Sequence, residues 1–166
     1  LTREGAKIYD QSGTFVSRSI TYLNQSIYFH DKSGFNHFME KEIHEQPKAL
    51  ERAIKSYVCD SDTNPKINLL KEVNFKKVLR IILVACGTAY YACYVAKYWI
   101  EKLAKIPVEI DIASEFRYRE PPIEKGTVAI FVSQSGETAD TLAALRYCIG
   151  KAQNIVSIVN VATSSI

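Results

Sequence analysis

Two short segments of this 166-residue chain carry the residue types best suited to binding chemistry. Residues 85–88 read Ala-Cys-Gly-Thr, and residues 133–138 read Ser-Gln-Ser-Gly-Glu-Thr. Each segment follows an apolar run and precedes a helical pattern, as strand-to-helix turns do. Open α/β sheets bind their ligands at the carboxyl ends of strands, so both turns are candidate binding loops.

The second turn has the composition of a phosphate-binding loop. Ser133, Ser135 and Thr138 offer hydroxyl donors, and Gly136 lets the backbone approach an anion closely. The amides at the start of the following helix are free, and the N-terminus of a helix carries about half a positive charge. Such a site needs no lysine. The alternative is that Ser135 merely caps the helix.

The first turn is less specific by itself. Gly87 permits a tight turn and Thr88 is a possible helix N-cap. Cys86 invites interpretation as a nucleophile, but no histidine lies near it in sequence, which favours a small buried residue.

Two other groups of polar residues are less specific candidates for a metal or ligand site. His37 and His44 share a helix face with Glu40 between them, but the spacing lacks the H-E-x-x-H zinc pattern, which favours a solvated surface or a subunit contact. Glu115, Arg117 and Arg119 form a charged cluster that either touches a sugar phosphate or is solvated. We predict neither a metal nor a cofactor.

Composition excludes several classes of protein. The net charge is 21 − 18 = +3, without the basic run of a nucleic-acid-binding protein, and no apolar stretch reaches the roughly 18 residues of a membrane span. The four cysteines, Cys59, Cys86, Cys93 and Cys148, form no C-x-x-C pair. We expect free thiols in a reducing cytoplasm.

Hydrophobic patterning predicts alternating strands and helices. Strands are expected near residues 79–85, 108–112, 127–132 and 155–159, and helices near 35–57, 89–103, 114–120 and 137–149. Pro47 should kink or break the first helix, and the second helix is apolar nearly all round, which predicts burial. The order predicts an α/β fold with a doubly wound parallel sheet and flavodoxin-like layering. A β-hairpin at 6–18 and a linker at 19–34 precede it. Because no initiator methionine is present, we expect the chain to be a piece that continues something longer. Because no helix follows the fourth strand, we expect truncation at the C-terminus too.

Four ordered motifs resemble the glutamine–fructose-6-phosphate transaminases. They are Ser133–Leu142 (SQSGETADTL), Ile112–Arg119 (IASEFRYR), the helix His37–Pro47 (HFMEKEIHEQP) and Ala85–Thr88 (ACGT). The resemblance implies that residues 1–18 end a glutaminase domain and residues 35–166 form an incomplete first sugar isomerase (SIS) domain. It also implies that Ser133, Gln134, Ser135 and Thr138 bind the phosphate with Thr88 beside them, while Cys86 and Gly87 line the sugar. Ala89 stands where the family has serine.

The same resemblance places catalysis outside this chain. The family's glutaminase cysteine and its isomerase acid–base residues lie in regions that the chain lacks, so it should bind fructose 6-phosphate or glucosamine 6-phosphate without converting them. Its expected partners are the missing glutaminase and second SIS domains and further copies of itself, not nucleic acid or a membrane. The alternative function is an SIS-type module that senses a phosphosugar or dimerises.

Overall fold

The structure is a computed structural model that describes residue 3 and residues 5–19, 31–57 and 73–166. Two compact units divide the chain, Leu1–Ile67 and Asn68–Ile166. The predicted linker at 19–34 lies mostly outside the described residues.

The first unit contains a turn and one long helix. An antiparallel bridge joins Tyr9 to Phe15, and the Gly13 amide donates to the Asp10 carbonyl at 3.0 Å. Among the described residues, the predicted hairpin is thus a tight turn flanked by bridge residues. Hydrogen bonds from the Ser12 hydroxyl and the Thr14 amide help lower the pKa of Asp10.

Helix α1 spans Phe38–Tyr57 and runs without interruption through Pro47. The break that Pro47 predicted is absent, so the helix tolerates one missing amide donor in its interior. Two ion pairs join residues one turn apart, with 3.9 Å between Lys41 and Glu45 and 2.6 Å between Lys55 and Glu51. The Lys55–Glu51 pair is exposed, whereas the Lys41 side chain is buried.

The second unit is a four-stranded parallel sheet with helices on both faces, as the sequence predicted. Strands follow the order β2-β1-β3-β4 across the sheet. Their bounds are β1 (Arg80–Ala85), β2 (Val108–Ile112), β3 (Thr127–Ser133) and β4 (Asn154–Val159). The helices are α2 (Gly87–Ala104), α3 (Ala113–Arg119) and α4 (Ala139–Cys148), and a 3₁₀ helix (Phe75–Lys77) precedes β1.

Alternate residues of β1 divide the core into two layers. Ile81, Leu83 and Ala85 pack with Cys93 of α2 on one face. Ile82 and Val84 pack on the other face with Phe116 of α3 and with Ala144 and Cys148 of α4. Because β1 leads to β2 on one side and β3 leads to β4 on the other, the chain reverses its direction of winding between β1 and β3. A crevice at the carboxyl ends of these two strands is the usual ligand site of such a sheet.

The structure corrects the expectation that α2 is buried all round. Cys93 is its one buried residue, whereas Trp99 and Leu103 are 65% and 81% exposed. The sheet covers only the side of α2 that carries Ala89, Cys93, Ala96 and Ile100. A helix packed on one sheet face buries one stripe, whatever the composition of its other side.

Candidate functional site

The two predicted loops meet at one cavity of about 310 Å³. Ala85 of β1 is in register with Val132 of β3, so the turns that follow these strands begin side by side. The cavity is lined by Cys86, Gly87, Thr88, Ala89, Val132, Ser133, Gln134, Ser135 and Thr138. Its volume is at the lower end of the range typical of small-molecule sites.

Two helices point their N-termini at this cavity. The first three residues of α2, Gly87–Ala89, belong to the lining, and so does Thr138, the residue before the first turn of α4. Neither Cys86 nor Thr138, the two N-cap residues, caps its helix with a side-chain hydrogen bond to a described residue. The first amides of both helices therefore remain available to a ligand, and both helix dipoles favour an anion there.

Hydroxyl groups complete the polar lining. Ser133 Oγ accepts a hydrogen bond from the Gly136 amide at 3.1 Å and lies 3.0 Å from Thr138 Oγ1. Ser135 Oγ accepts from the Glu137 amide at 3.2 Å. Thr138 is the N-cap of α4, so the alternative in which Ser135 caps this helix is wrong. Helix α4 starts two residues later than predicted because Glu137 belongs to the turn.

The cavity has no charged side chain among its described lining residues. The arginines of the 115–119 cluster have carboxylate partners instead. Arg117 donates to Asp140 at 2.8 Å, and Arg119 pairs with Asp111. Backbone dipoles of the two helices are therefore the groups of the described lining that favour negative charge.

Comparison with known proteins identifies the fold as that of a known family. The profile of the SIS domain family matches residues 74–166. The chain belongs to the SIS domain family. The match covers both binding loops and every element of the second unit from the 3₁₀ helix onward.

Relatives resemble the chain beyond the SIS domain. A glutamine–fructose-6-phosphate aminotransferase [isomerizing] of Bradyrhizobium diazoefficiens is 49% identical over all 166 residues, and one of Clostridium tetani is 46% identical over 167 aligned positions. The chain spans 27% and 28% of the length of these two relatives.

Solved structures agree with this similarity. The C-terminal domain of glucosamine-fructose-6-phosphate aminotransferase from Francisella tularensis superposes with a TM-score of 0.75 at 44% identity, covering 81% of this chain and 38% of that one. Glucosamine-6-phosphate deaminase from Thermotoga maritima has a TM-score of 0.55 at 22% identity, over 75% of this chain and 35% of its own. At this identity, the similarity to the deaminase shows a shared fold and nothing more.

The described cysteines of the SIS domain differ in environment. Cys86 is half-buried and lines the cavity, which corrects its interpretation as a fully buried residue. Cys93 and Cys148 are buried in opposite core layers, and burial raises the pKa of both thiols, that of Cys148 to about 11. Cys86 is thus the one of these three thiols that a reagent in the cavity would meet.

His37, directly before α1, and His44, within it, lie apart from the two loops in sequence. His37, Glu40 and His44 line a shallow groove with Met39 and Ile43, and the His44 ring stacks on Phe35 at 5.2 Å. Within the described ranges, no three His, Cys, Asp or Glu side chains group together as metal ligands. His30 lies outside those ranges. None of the described helices is both long and apolar enough to cross a membrane.

Sequence reasoning missed two parts of the site. Val132 lines the cavity as the last apolar residue before the second loop, a position that its register beside Ala85 explains. The segment after β4 contacts the same loop from outside the cavity: the Asn160 amide donates to the Gln134 carbonyl at 3.2 Å. Because β3 and β4 are parallel neighbours, their carboxyl ends lie side by side. A predicted pairing of these two strands could therefore have indicated that the segment after β4 contacts the second loop.

Proposed function

We propose that this chain is the phosphosugar-binding segment of a glutamine–fructose-6-phosphate aminotransferase, and that the cavity binds fructose 6-phosphate or glucosamine 6-phosphate. The observation that carries the proposal is the meeting of two helix N-termini and four hydroxyl groups at one cavity without a charged side chain in its described lining. A phosphate group matches this set, since it accepts many hydrogen bonds and carries the charge that both helix dipoles favour.

The hydroxyl groups have protons left for a phosphate. Each hydroxyl donates once and accepts twice. Whichever of Ser133 and Thr138 donates to the other, one proton of that pair stays free, and Ser135 Oγ acts only as an acceptor toward Glu137. The Gly136 and Glu137 amides already donate to Ser133 and Ser135. We therefore assign two hydroxyl donors and the remaining amides of the Gln134–Thr138 turn to the phosphate.

The first loop is assigned to the sugar. Cys86 and Gly87 line the cavity beside Thr88, and Gly87 takes a left-handed φ of 57° that suits glycine. Ala89 also reaches the lining, where it offers a methyl group in place of the serine hydroxyl expected from the family. One contact to the ligand is thereby lost while the rest of the set remains.

The remaining steps of the reaction are assigned to other parts of a longer protein. The relatives are nearly four times the length of this chain, because it spans about 27% of each. We propose that a glutaminase domain and a second SIS domain are its partners and that it works as a homo-oligomer. We place it in the cytoplasm, where Cys86, Cys93 and Cys148 would stay reduced.

A phosphosugar sensor of the same fold remains the second candidate. Sensor and enzyme would share residues 74–166, which the SIS family profile matches. The alignment with an aminotransferase, 49% identical over all 166 residues, includes residues 1–73 as well. A free-standing sensor would have no reason to keep that N-terminal part, so the comparison favours the enzyme segment.

Titration of the chain with fructose 6-phosphate tests the proposed site. Ser135→Ala removes one donor to the phosphate and should weaken binding by about 1–3 kcal/mol, the usual cost of leaving a charged group short of one hydrogen bond. Ser157→Ala, at an exposed position of β4, is the matched control and should bind like the parent. Affinities come from calorimetry, and amide chemical shifts locate the site.

Alkylation of Cys86 provides a second readout. A ligand in the cavity should slow the reaction of Cys86 with iodoacetamide, measured by peptide mass spectrometry. Shifts centred away from residues 85–88 and 133–138, or an unchanged affinity in Ser135→Ala, would show that the phosphate binds elsewhere.

A further inference from the structure

The second binding loop is held from behind by residues 160–166, here called the post-β4 segment. Three amides of this segment donate to the loop. Asn160 donates to the Gln134 carbonyl at 3.2 Å, Ile166 to the Gly136 carbonyl at 3.1 Å, and Ser165 to Glu137 Oε1 at 2.8 Å. The first two bonds join backbone to backbone, whereas the third depends on a side chain.

Glu137 contacts both the post-β4 segment and a hydroxyl that lines the cavity. Its carboxylate accepts from Ser165, and its own amide donates to Ser135 Oγ at 3.2 Å. The two contacts are made by the two ends of one residue, the carboxylate oxygen and the backbone nitrogen. Holding the carboxylate on Ser165 therefore restrains the Glu137 side chain and limits the movement of the amide that orients Ser135.

Gly136 makes the equivalent pair of contacts through its backbone. Its amide donates to Ser133 Oγ, and its carbonyl accepts from Ile166. The post-β4 segment approaches so closely that a Cβ on Gly136 would lie 2.0 Å from Ser164 Oγ. Ile166 also packs against the core layer that contains Phe116 and Phe131, which anchors the end of the segment.

Glu137 does not belong to the cavity lining, so its carboxylate is not placed to act on a bound sugar. Its hydrogen bond to the Ser165 amide instead connects the second loop to the post-β4 segment. Hydrogen bonds to a carboxylate are among the stronger ones in proteins, and one such bond is sufficient to select one loop conformation over its neighbours.

We propose that Glu137 is a positioning residue of the phosphosugar site, acting through the Ser165 amide to hold Ser135 and the turn amides in the shape that receives the phosphate. This inference rests on the proposed function of the cavity. The post-β4 segment would then contribute to phosphosugar binding although none of its residues lines the cavity.

Two conservative variants separate the reach of the Glu137 side chain from its charge. Glu137→Asp keeps the negative charge but is one methylene too short to reach Ser165. Glu137→Gln keeps the length and an acceptor oxygen but loses the charge. Glu124→Asp is the matched control, because Glu124 is an exposed carboxylate before β3, at the opposite end of the sheet.

The readouts are fructose 6-phosphate affinity by calorimetry and hydrogen exchange of the Ser165 amide by NMR. We expect Glu137→Asp to weaken binding about fivefold or more, the equivalent of one hydrogen bond, and to speed Ser165 exchange. Glu137→Gln should bind within about twofold of the parent, or more tightly, since it removes a negative charge near the phosphate. Its Ser165 exchange should stay close to that of the parent, and Glu124→Asp should match the parent in both readouts.

The possible failures are distinguishable. If the parent binds fructose 6-phosphate and Glu137→Asp binds it equally well, the positioning role is wrong and the proposed function stands. If Glu137→Gln loses as much affinity as Glu137→Asp, a side chain of the right length with an acceptor oxygen is not sufficient, and the positioning role is again wrong. If the parent itself does not bind, the proposed function fails and this inference fails with it.

Discussion

At the scale of single residues, the two loop glycines share a backbone conformation but differ in their surroundings. Gly87 has a φ of 57° and Gly136 a φ of 67°, both in the left-handed region. A Cβ on Gly87 would meet nothing within 4 Å, whereas one on Gly136 would collide with the side chain of Ser164. An alanine at Gly87 would therefore suffer backbone strain alone, whereas an alanine at Gly136 would suffer backbone strain and steric overlap.

We predict that Gly136→Ala is the more destabilising of the two substitutions. Gly87→Ala should cost about 1–2 kcal/mol for its left-handed φ alone. Gly136→Ala should cost about 1–3 kcal/mol more, because the post-β4 segment must also move. Urea denaturation of both variants measures the difference. Equal losses would mean that the segment yields without cost and does not hold the loop.

The buried thiol of Cys148 predicts a pH dependence of stability. Burial raises its pKa to about 11 from an ordinary value near 9, with the positive charge of Lys151 opposing the shift. Above about pH 9 the unfolded chain releases this proton while the folded chain keeps it. The stabilising contribution is therefore complete below pH 9 and is lost as the pH rises toward 11.

Urea unfolding at pH 8 and pH 10.5 tests this effect in the parent and in Cys148→Ala. The variant loses packing at both pH values, but its stability should fall less between them. Some fall should remain, because burial raises the pKa of Cys93 in the same direction. An identical fall in the two proteins would show that Cys148 ionises equally well in the folded state.

At the scale of elements, α2 presents an apolar face away from the sheet. Six large side chains on it are between 45% and 81% exposed: Tyr91, Tyr94, Val95, Tyr98, Trp99 and Leu103. Tyr98 and Tyr94 are joined by a 3.0 Å hydrogen bond between their hydroxyls. Contiguous apolar surface of this kind usually marks an interface.

We predict that the chain associates through α2 into a dimer or larger assembly at micromolar concentration. Leu103→Lys should shift the equilibrium toward monomer by placing a charge in the apolar face. Ile149→Lys, at a 61% exposed position after α4, is the control and should associate like the parent. Light scattering over a concentration series measures both. A parent that stays monomeric would contradict the prediction.

At the scale of the whole molecule, the prediction concerns the acids and bases that the described lining of the candidate cavity contains. Isomerising a ketose moves a proton between C1 and C2, and a positioned acid or base accelerates such steps about 10²–10⁴-fold. None of the described lining residues is a carboxylate, an imidazole or an amine. Glu137 is engaged with Ser165 instead.

We therefore predict no detectable glucosamine 6-phosphate from this chain with either glutamine or ammonia as the nitrogen donor. Mass spectrometry of the products measures the rate. The complete aminotransferase of Bradyrhizobium diazoefficiens, assayed in parallel, is the positive control. Turnover by the chain alone would refute the assignment of catalysis to other parts of the protein.

Much of this architecture could be predicted because it depends on local patterns. The continuous apolar runs of β1 and β3 are typical of strands covered on both faces, and their alternation with helical patterns predicted a parallel sheet, which the structure confirms. Placing the 85–88 and 133–138 turns at one edge then followed from topology alone. Whether their residues bind a phosphosugar stays a prediction.

The sequence by itself determined the order of strands and helices, the two loops and the resemblance to a family, because periodicity and motif spacing are properties of neighbouring residues. Only the tertiary structure decided which side of α2 is covered, that Glu137 belongs to a turn before α4, and that its carboxylate meets the Ser165 amide. These outcomes depend on groups far apart in sequence. Ser165 lies 28 residues beyond Glu137, and the packing of β4 beside β3 brings them together.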